Sequence, residues 1–133
     1  RRSGGLTIVD YIETMCGKPL TGGAAGEGRS GQFFFFSNDS TVVLKTVSYE
    51  EWQFFSRILD DYHTFMITNM ETTLMCRFYA LYKLQIGKAT TRLVAMNNIF
   101  QVSPSIGSRS LIKEMYDLKG SFHHRLVDEA QKA

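Results

Sequence analysis

With 133 residues, 44% hydrophobic and 13% aromatic, the chain fits one domain able to bury a core, which excludes disorder over most of its length. No apolar run approaches the roughly 20 residues that cross a bilayer, and the opening RRSGG followed by the acid-interrupted LTIVDYIETMC makes a poor signal peptide. The formal net charge of +2 hides a division: residues 1–76 carry six Lys and Arg against nine Asp and Glu, whereas residues 77–133 carry nine against four. A basic half suits an anionic partner such as a nucleotide, a nucleic acid or a phosphoinositide-bearing membrane, although ordinary surface lysines and arginines are the better account of an excess of this size.

In chain order, Leu6, Val9, Ile12, Met15 and Cys16 have helical spacing, with Gly17 placed to end the helix. Residues 17–31 hold six glycines and a proline and read as a loop. Gln32–Ser37 and Thr41–Val47 read as two strands joined by the turn 37–40. Ser48 with Glu51 three residues later is a capping-box signature. The stripe Trp52, Phe55, Ile58, Leu59, Tyr62 and Met66 then predicts a long amphipathic helix packed on the sheet. Thr73–Ile86 is rich in β-formers, Gly87-Lys88 offers a turn, Arg92–Met96 is a short apolar run ending at Asn97-Asn98, and 103–110 is a polar loop. Leu111–Ser121 reads as a final strand. The sum is an α+β domain over residues 1–133: an antiparallel sheet, a shorter N-terminal helix and a long helix, with the helices on one side.

The chemistry concentrates in GEGRSGQFFFFSNDSTVVLKTV, residues 26–47. Gly26, Gly28 and Gly31 precede two apolar β-rich runs, and Lys45 lies inside the second. A glycine turn followed by a strand lysine can lay backbone amides over phosphates and bring an ammonium to the same charge. By itself G-x-G-x-x-G is a weak signal, and a strand lysine can equally be an edge residue that blocks aggregation. Arg29 could touch a phosphate or a membrane, and Ser30 and Gln32 offer amides. Glu50 and Glu51 are candidate ion-pair partners for Lys45, with Glu51 equally explained as a cap. Asp60 and Asp61 are adjacent and share no helical face, so they do not form a paired-carboxylate site. His123-His124 reads as an exposed polar stretch. In YDLKGS, Asp117, Lys119 and Ser121 would share one strand face and line a cleft. Met96-Asn97-Asn98 could offer backbone groups to a base edge or simply end a strand. Cys16 and Cys76 lack metal-ligand spacing and read as buried free thiols, which points to a reduced, cytosolic setting.

Together these residues resemble the phosphatidylinositol phosphate kinases, from about Asp10 to Arg125. GRSGQFFFFS is similar to the family's G-K-S-G-S-F-F-x-F-S, with Arg29 for lysine and Gln32 for serine. Lys45-Thr46 matches its I-K-T. Ser48, Glu51, Phe54, Ile58, Leu59, Asp61 and Tyr62 follow its S-x-x-E-x-x-F-x-x-x-I-L-x-D-Y helix. Arg77-Phe78-Tyr79 and Leu81-Tyr82 resemble R-F-Y-G-L-Y, Met96-Asn97-Asn98 resembles the hinge, and Tyr116–Ser121 is identical to Y-D-L-K-G-S.

The resemblance implies part of the amino-terminal lobe of a cytosolic, membrane-surface enzyme that moves the ATP γ-phosphoryl group to a phosphoinositide ring hydroxyl, with Mg2+ as cofactor. By the same resemblance, Gly28, Arg29, Ser30, Gly31 and Gln32 cover the phosphates, Lys45 pairs with them, Met96, Asn97 and Asn98 sit by the adenine, and Asp117 and Lys119 line the cleft. The family's M-D-Y-S-L-L segment and its later I-I-D aspartate are not within these residues, so the metal site is expected in a second lobe and no activity from these residues alone. ATP and membrane phosphoinositide are the implied partners, with a homo-oligomer possible and no nucleic acid. A non-catalytic module that binds a phosphoinositide membrane or a kinase partner is the competing reading.

Overall fold

A computed structural model describes residues 6–25, 32–101, 112–114 and 116 of the chain. The chain divides into two units, Arg1–Gln101 and Val102–Ala133, and the first holds every helix and strand described here. Its elements are α1 (Ile8–Cys16), β1 (Thr21–Ala25), β2 (Phe33–Phe36), β3 (Val42–Thr46), α2 (Tyr49–Asn69), β4 (Phe78–Ile86) and β5 (Ala89–Asn97). The five strands form one antiparallel sheet in the order β1-β2-β3-β5-β4.

Both helices start as their sequences dictate. Thr7 and Asp10 form a capping box at α1, and Ser48 and Glu51 form another at α2, so each N-terminus satisfies backbone donors it would otherwise leave free. The α2 box and the Gly17 stop of α1 were legible from residue spacing, whereas the α1 box was not. The loop expected over 17–31 contains β1, an edge strand of small residues that no apolar alternation announces. Gly22 in β1 has φ +110 and lies beside a register shift. A Cβ there would come within 2.8 Å of the Phe34 carbonyl oxygen, so glycine permits both the conformation and the close approach. The β4–β5 hairpin turns at Gly87-Lys88 with Gly87 at φ +60, the backbone that a tight hairpin requires at its first central position.

The core lies in the middle of the sheet. Val42, Leu44, Leu93 and Ala95 form a buried cluster on one face, covered by Leu6 and, from α1, by Tyr11 and Met15. Burying side chains of this size contributes about 1.5–3 kcal/mol each. Tyr11 also stacks at 5.8 Å on Tyr79, and the Tyr11 and Tyr82 hydroxyls share a 2.6 Å hydrogen bond. Burial, reinforced by that bond, pushes the Tyr11 phenol far above its ordinary pKa.

The opposite face carries Val43, Val94 and Phe78, and α2 packs there. Phe55 and Tyr62 meet the Phe78 ring at 5.0 and 5.2 Å. The Tyr62 hydroxyl donates to the Cys76 carbonyl and accepts from the Phe78 amide, pinning α2 to the start of β4. The helices therefore lie on opposite faces of the sheet, not on one side. The reason is a strand period of two: Val42 and Leu44 face one layer, Val43 and Lys45 the other, and each face needs its own cover.

Further expectations change. The α1 spacing pointed Val9 and Ile12 inward, yet both are exposed and Tyr11 takes their place against the sheet. Leu59 of the α2 stripe is exposed while Met66 is buried. Cys16 is exposed and Cys76 half-buried, both as free thiols. The strand read over 73–86 begins only at Phe78, because Met70–Cys76 turns the chain out of α2. The run read from Arg92 is extended backward to Ala89 by its pairing with β4. Of the final strand read over 111–121, Ile112–Glu114 and Tyr116 are described and none is in a strand. The remainder lies outside the described residues.

Candidate nucleotide site

Lys45 is the fourth residue of β3, an interior strand paired with β2 on one side and β5 on the other. The register sets Lys45 opposite Phe34 and Val94. Val43, one step back on the same face, lies opposite Phe36 and Met96. Strand geometry thus puts Lys45 and Met96 on one face, separated by about two residues along the strand and one strand across, or roughly 7 and 4.8 Å. The lysine is half-buried, and among the described residues no carboxylate lies within ion-pair distance of it. An interior ammonium without a counter-charge is a natural seat for an anion. The edge-strand account of Lys45 does not hold, because β3 is not an edge.

The ion pair expected between Lys45 and Glu50 or Glu51 is not formed among the described residues. Glu51 is committed elsewhere: one oxygen accepts from the Ser48 amide at 2.7 Å, and the carboxylate accepts from the Gln32 side-chain amide at 3.0 and 3.2 Å. Gln32 is the last residue of the glycine-rich segment, so this contact ties the exit of that segment to the first turn of α2. Gly28, Arg29, Ser30 and Gly31 lie outside the described residues, as do Asp117 and Lys119.

Asn97 and Asn98 end β5 with their side chains in use. Asn97 Oδ1 accepts from the Arg77 amide at 2.7 Å and from the Cys76 thiol at 3.1 Å. Burial pushes the Cys76 thiol above its ordinary pKa, keeping it a neutral donor. Asn98 Nδ2 donates to the Ser40 carbonyl and its Oδ1 accepts from the Phe100 amide. The two backbone amides also have partners, Asn97 N to Arg77 O and Asn98 N to Thr41 O, both at 2.9 Å. Both asparagines therefore act as anchors that hold the strand end, and of the backbone groups expected to face a base edge the two N–H groups are occupied.

The anchor for this end is the turn at Asn38–Ser40. Asp39 Oδ1 accepts from Ser37 Oγ, Thr41 Oγ1 and the Thr41 amide, and Oδ2 accepts from Thr14 Oγ1 of α1. Burial opposes ionisation of Asp39, but these hydrogen bonds outweigh it and hold the carboxyl below its ordinary pKa. Ser37, fully buried, passes the network on by accepting from the Val42 amide. An open cleft beside this turn, lined by Asp10, Glu13, Lys18 and Asp39, lies on the α1 side of the sheet, away from Lys45.

Two residues that composition did not flag share the Lys45 face. Arg92 lies two positions before Val94 on β5, with its guanidinium 4.8 Å above the Tyr49 ring and its Nε buried without a partner. Trp52 Nε1, in the first turns of α2, is likewise buried and unpartnered. Only the register β3–β5 reveals that Arg92 and Lys45 face the same way, so no linear motif carries that signal. Among the described residues no group of three His, Cys, Asp or Glu can hold a metal ion.

The sequence profile of the family described as "Phosphatidylinositol-4-phosphate 5-Kinase" matches residues 15–133. The chain belongs to this family. It is 32% identical over 128 residues to rat phosphatidylinositol 4-phosphate 5-kinase type-1 alpha, covering 96% of this chain and 22% of the rat protein. It is 33% identical over 129 residues to the chicken type-1 beta enzyme, covering 96% and 22%. It is 34% identical over 128 residues to phosphatidylinositol 4-phosphate 5-kinase its3 of Schizosaccharomyces pombe, covering 95% and 16%. The chain thus spans about a fifth of the length of these relatives. The two-helix, five-stranded α+β architecture agrees with a kinase amino-terminal lobe.

Proposed function

We propose that these residues form the ATP-binding lobe of a phosphatidylinositol phosphate kinase, the part that holds the nucleotide while its γ-phosphoryl group passes to a phosphoinositide ring hydroxyl. The observation that carries this reading is Lys45: half-buried on an interior strand, on the face shared with Met96, and without a carboxylate partner among the described residues. Lys45 supplies positive charge to the phosphates, and Met96 gives an apolar surface beside the base. Gln32 acts by fixing the exit of the glycine segment to α2 through Glu51. By the family resemblance, Gly28, Arg29, Ser30 and Gly31 are assigned to the phosphates and Asp117 and Lys119 to the ATP and substrate cleft; all six lie outside the described residues.

ATP brings the transferable phosphoryl group and Mg2+ neutralises its charge, but the described residues do not fit a metal site, so no step is assigned to Mg2+ here. Orientation of the lipid hydroxyl belongs to segments outside these 133 residues, and these residues alone are inactive in this reading. In this reading the protein works at the cytosolic face of a membrane. No helix among the described residues is long and apolar enough to cross one. Equilibrium dialysis with a non-hydrolysable ATP analogue tests the nucleotide role. Weak binding by the native chain, lost in a folded Lys45→Ala variant, is the expected result. Equal binding by both removes Lys45 from the site.

A further inference from the structure

β4 and β5 outrun the rest of the sheet. β3 pairs with β5 only over Leu93–Asn97, so Leu84–Ile86 and Ala89–Thr91 pair with each other alone, with Lys83 opposite Arg92 at their root. Every residue from Lys83 to Thr91 is exposed. This free ribbon is two-faced. Leu84 and Ile86, 46% and 79% exposed, lie on one face opposite Thr91 and Ala89. Lys83 and Gln85 lie on the other, opposite Arg92 and Thr90, and Lys88 occupies the tip.

Its charge is one-sided. Between Glu71 and Glu114 the chain has no acidic residue and six basic ones, of which Lys83, Lys88 and Arg92 are on the ribbon. Arg92, opposite Lys83 at the root of the ribbon, is engaged by the Tyr49 ring and the Glu50 charge, which leaves Lys83 and Lys88 as the exposed cations of the ribbon. Exposed amines next to aliphatic side chains held in water fit a surface that is anionic outside and hydrocarbon beneath.

We propose that the β4–β5 ribbon is a membrane-docking element, with Leu84 and Ile86 entering the acyl boundary of an anionic lipid surface while Lys83 and Lys88 remain at the headgroups. The long amine stems can reach the headgroup level from a partly sunk ribbon. A second copy of the chain fits poorly, because its ribbon would present the same positive charge. Nucleic acid fits poorly too, because the exposed apolar groups are aliphatic and offer no ring to stack on bases. The element is separate from the nucleotide site and does not depend on ATP.

The test is sedimentation of the chain with vesicles of phosphatidylcholine alone or mixed with phosphatidylserine, without phosphoinositide so that substrate recognition plays no part. The native chain is expected to partition onto the phosphatidylserine vesicles and to leave them as salt is raised. Leu84→Ser with Ile86→Ser should lower the partition roughly tenfold or more, and Lys83→Gln and Lys88→Gln roughly fivefold each. All variants should keep the native circular dichroism, since the altered side chains are in solvent. Native partition unchanged in the Leu84/Ile86 pair, or no partition of the native chain at all, overturns the proposal. Ribbon-dependent self-association in sedimentation velocity, or ribbon-dependent retention on single-stranded DNA, without vesicle binding assigns the surface to another occupant and overturns it equally.

Discussion

β5 is one strand with two different halves. Leu93–Ala95 is buried between β3 and β4 with a helix over each face, while Ala89–Thr91 is paired only with β4 and is exposed. The exposed half is Ala-Thr-Thr and the buried half Leu-Val-Ala, so the more apolar half is the one that β3 lies beside. Where β3 lies alongside, the strand becomes core and sets Met96 on one face with Lys45 of β3. Where β3 ends, the same ribbon becomes an exposed surface that carries Lys83 and Lys88. In this lobe, placement by the sheet and not residue type decides which positively charged side chain is an interior group and which is a docking group.

The largest effect should come from deleting the same side chain at the two ends of one face. Leu93 and Leu84 lie on the same face of the ribbon, the first 7% and the second 46% exposed. Leu93→Ala should cost about 2–5 kcal/mol of unfolding free energy, and Leu84→Ala at most about 0.5–1 kcal/mol, as read by urea denaturation. Similar costs at both positions would erase the distinction between the two halves.

A smaller effect is expected at the turn that anchors the buried half. Asp39→Ala removes an acceptor used by Ser37, Thr41 and Thr14 and should cost about 1–3 kcal/mol. Its pH dependence has a definite sign. The folded carboxyl titrates below its unfolded value of roughly 3.9, so the stabilisation is fully present above that pH and is lost as pH falls through the lower, folded value. The gap in stability between the native chain and Asp39→Asn should therefore be constant from pH 7 to 5 and shrink below about 3.9. A gap that persists at the acid end would show that the charge is not what holds the turn.

The smallest effect on stability belongs to Lys45→Ala, within about 0.5 kcal/mol and towards greater stability if anything, because an interior ammonium with no carboxylate partner among the described residues is removed. A loss above about 1 kcal/mol would mean that Lys45 is a structural residue, and would weaken its assignment to a ligand.

Much of this was legible in the residues. The Ser48–Glu51 box, the Val42–Val47 run and the Gly87-Lys88 turn each obey a local rule, and the structure follows them. The family resemblance assigned Lys45 and Met96 to the nucleotide from motif order, and the β3–β5 register puts the two on one face. Other features depend on non-local pairing that no local rule encodes. β1 is built of TGGAA, whose place in the sheet is set by Phe33–Phe36 across from it. The side of the sheet taken by α1 follows from Tyr11 meeting Tyr79 and Tyr82, residues about seventy positions away. Arg92 joins the Lys45 face only through the β3–β5 register. Glu51, read as a partner for Lys45, is held instead by Ser48 and Gln32, because a capping position within reach of a neighbouring amide satisfies the carboxylate first.

The central claim is that the β3–β5 face around Lys45 receives a nucleotide. Its most direct test is amide chemical-shift mapping of the isotopically labelled chain during titration with a non-hydrolysable ATP analogue. Shifts concentrated at Gln32, Val43, Lys45, Val94 and Met96, and absent in Lys45→Ala, are the predicted result. Saturable shifts confined to the α1 side of the sheet, or an unchanged pattern in the variant, would contradict it.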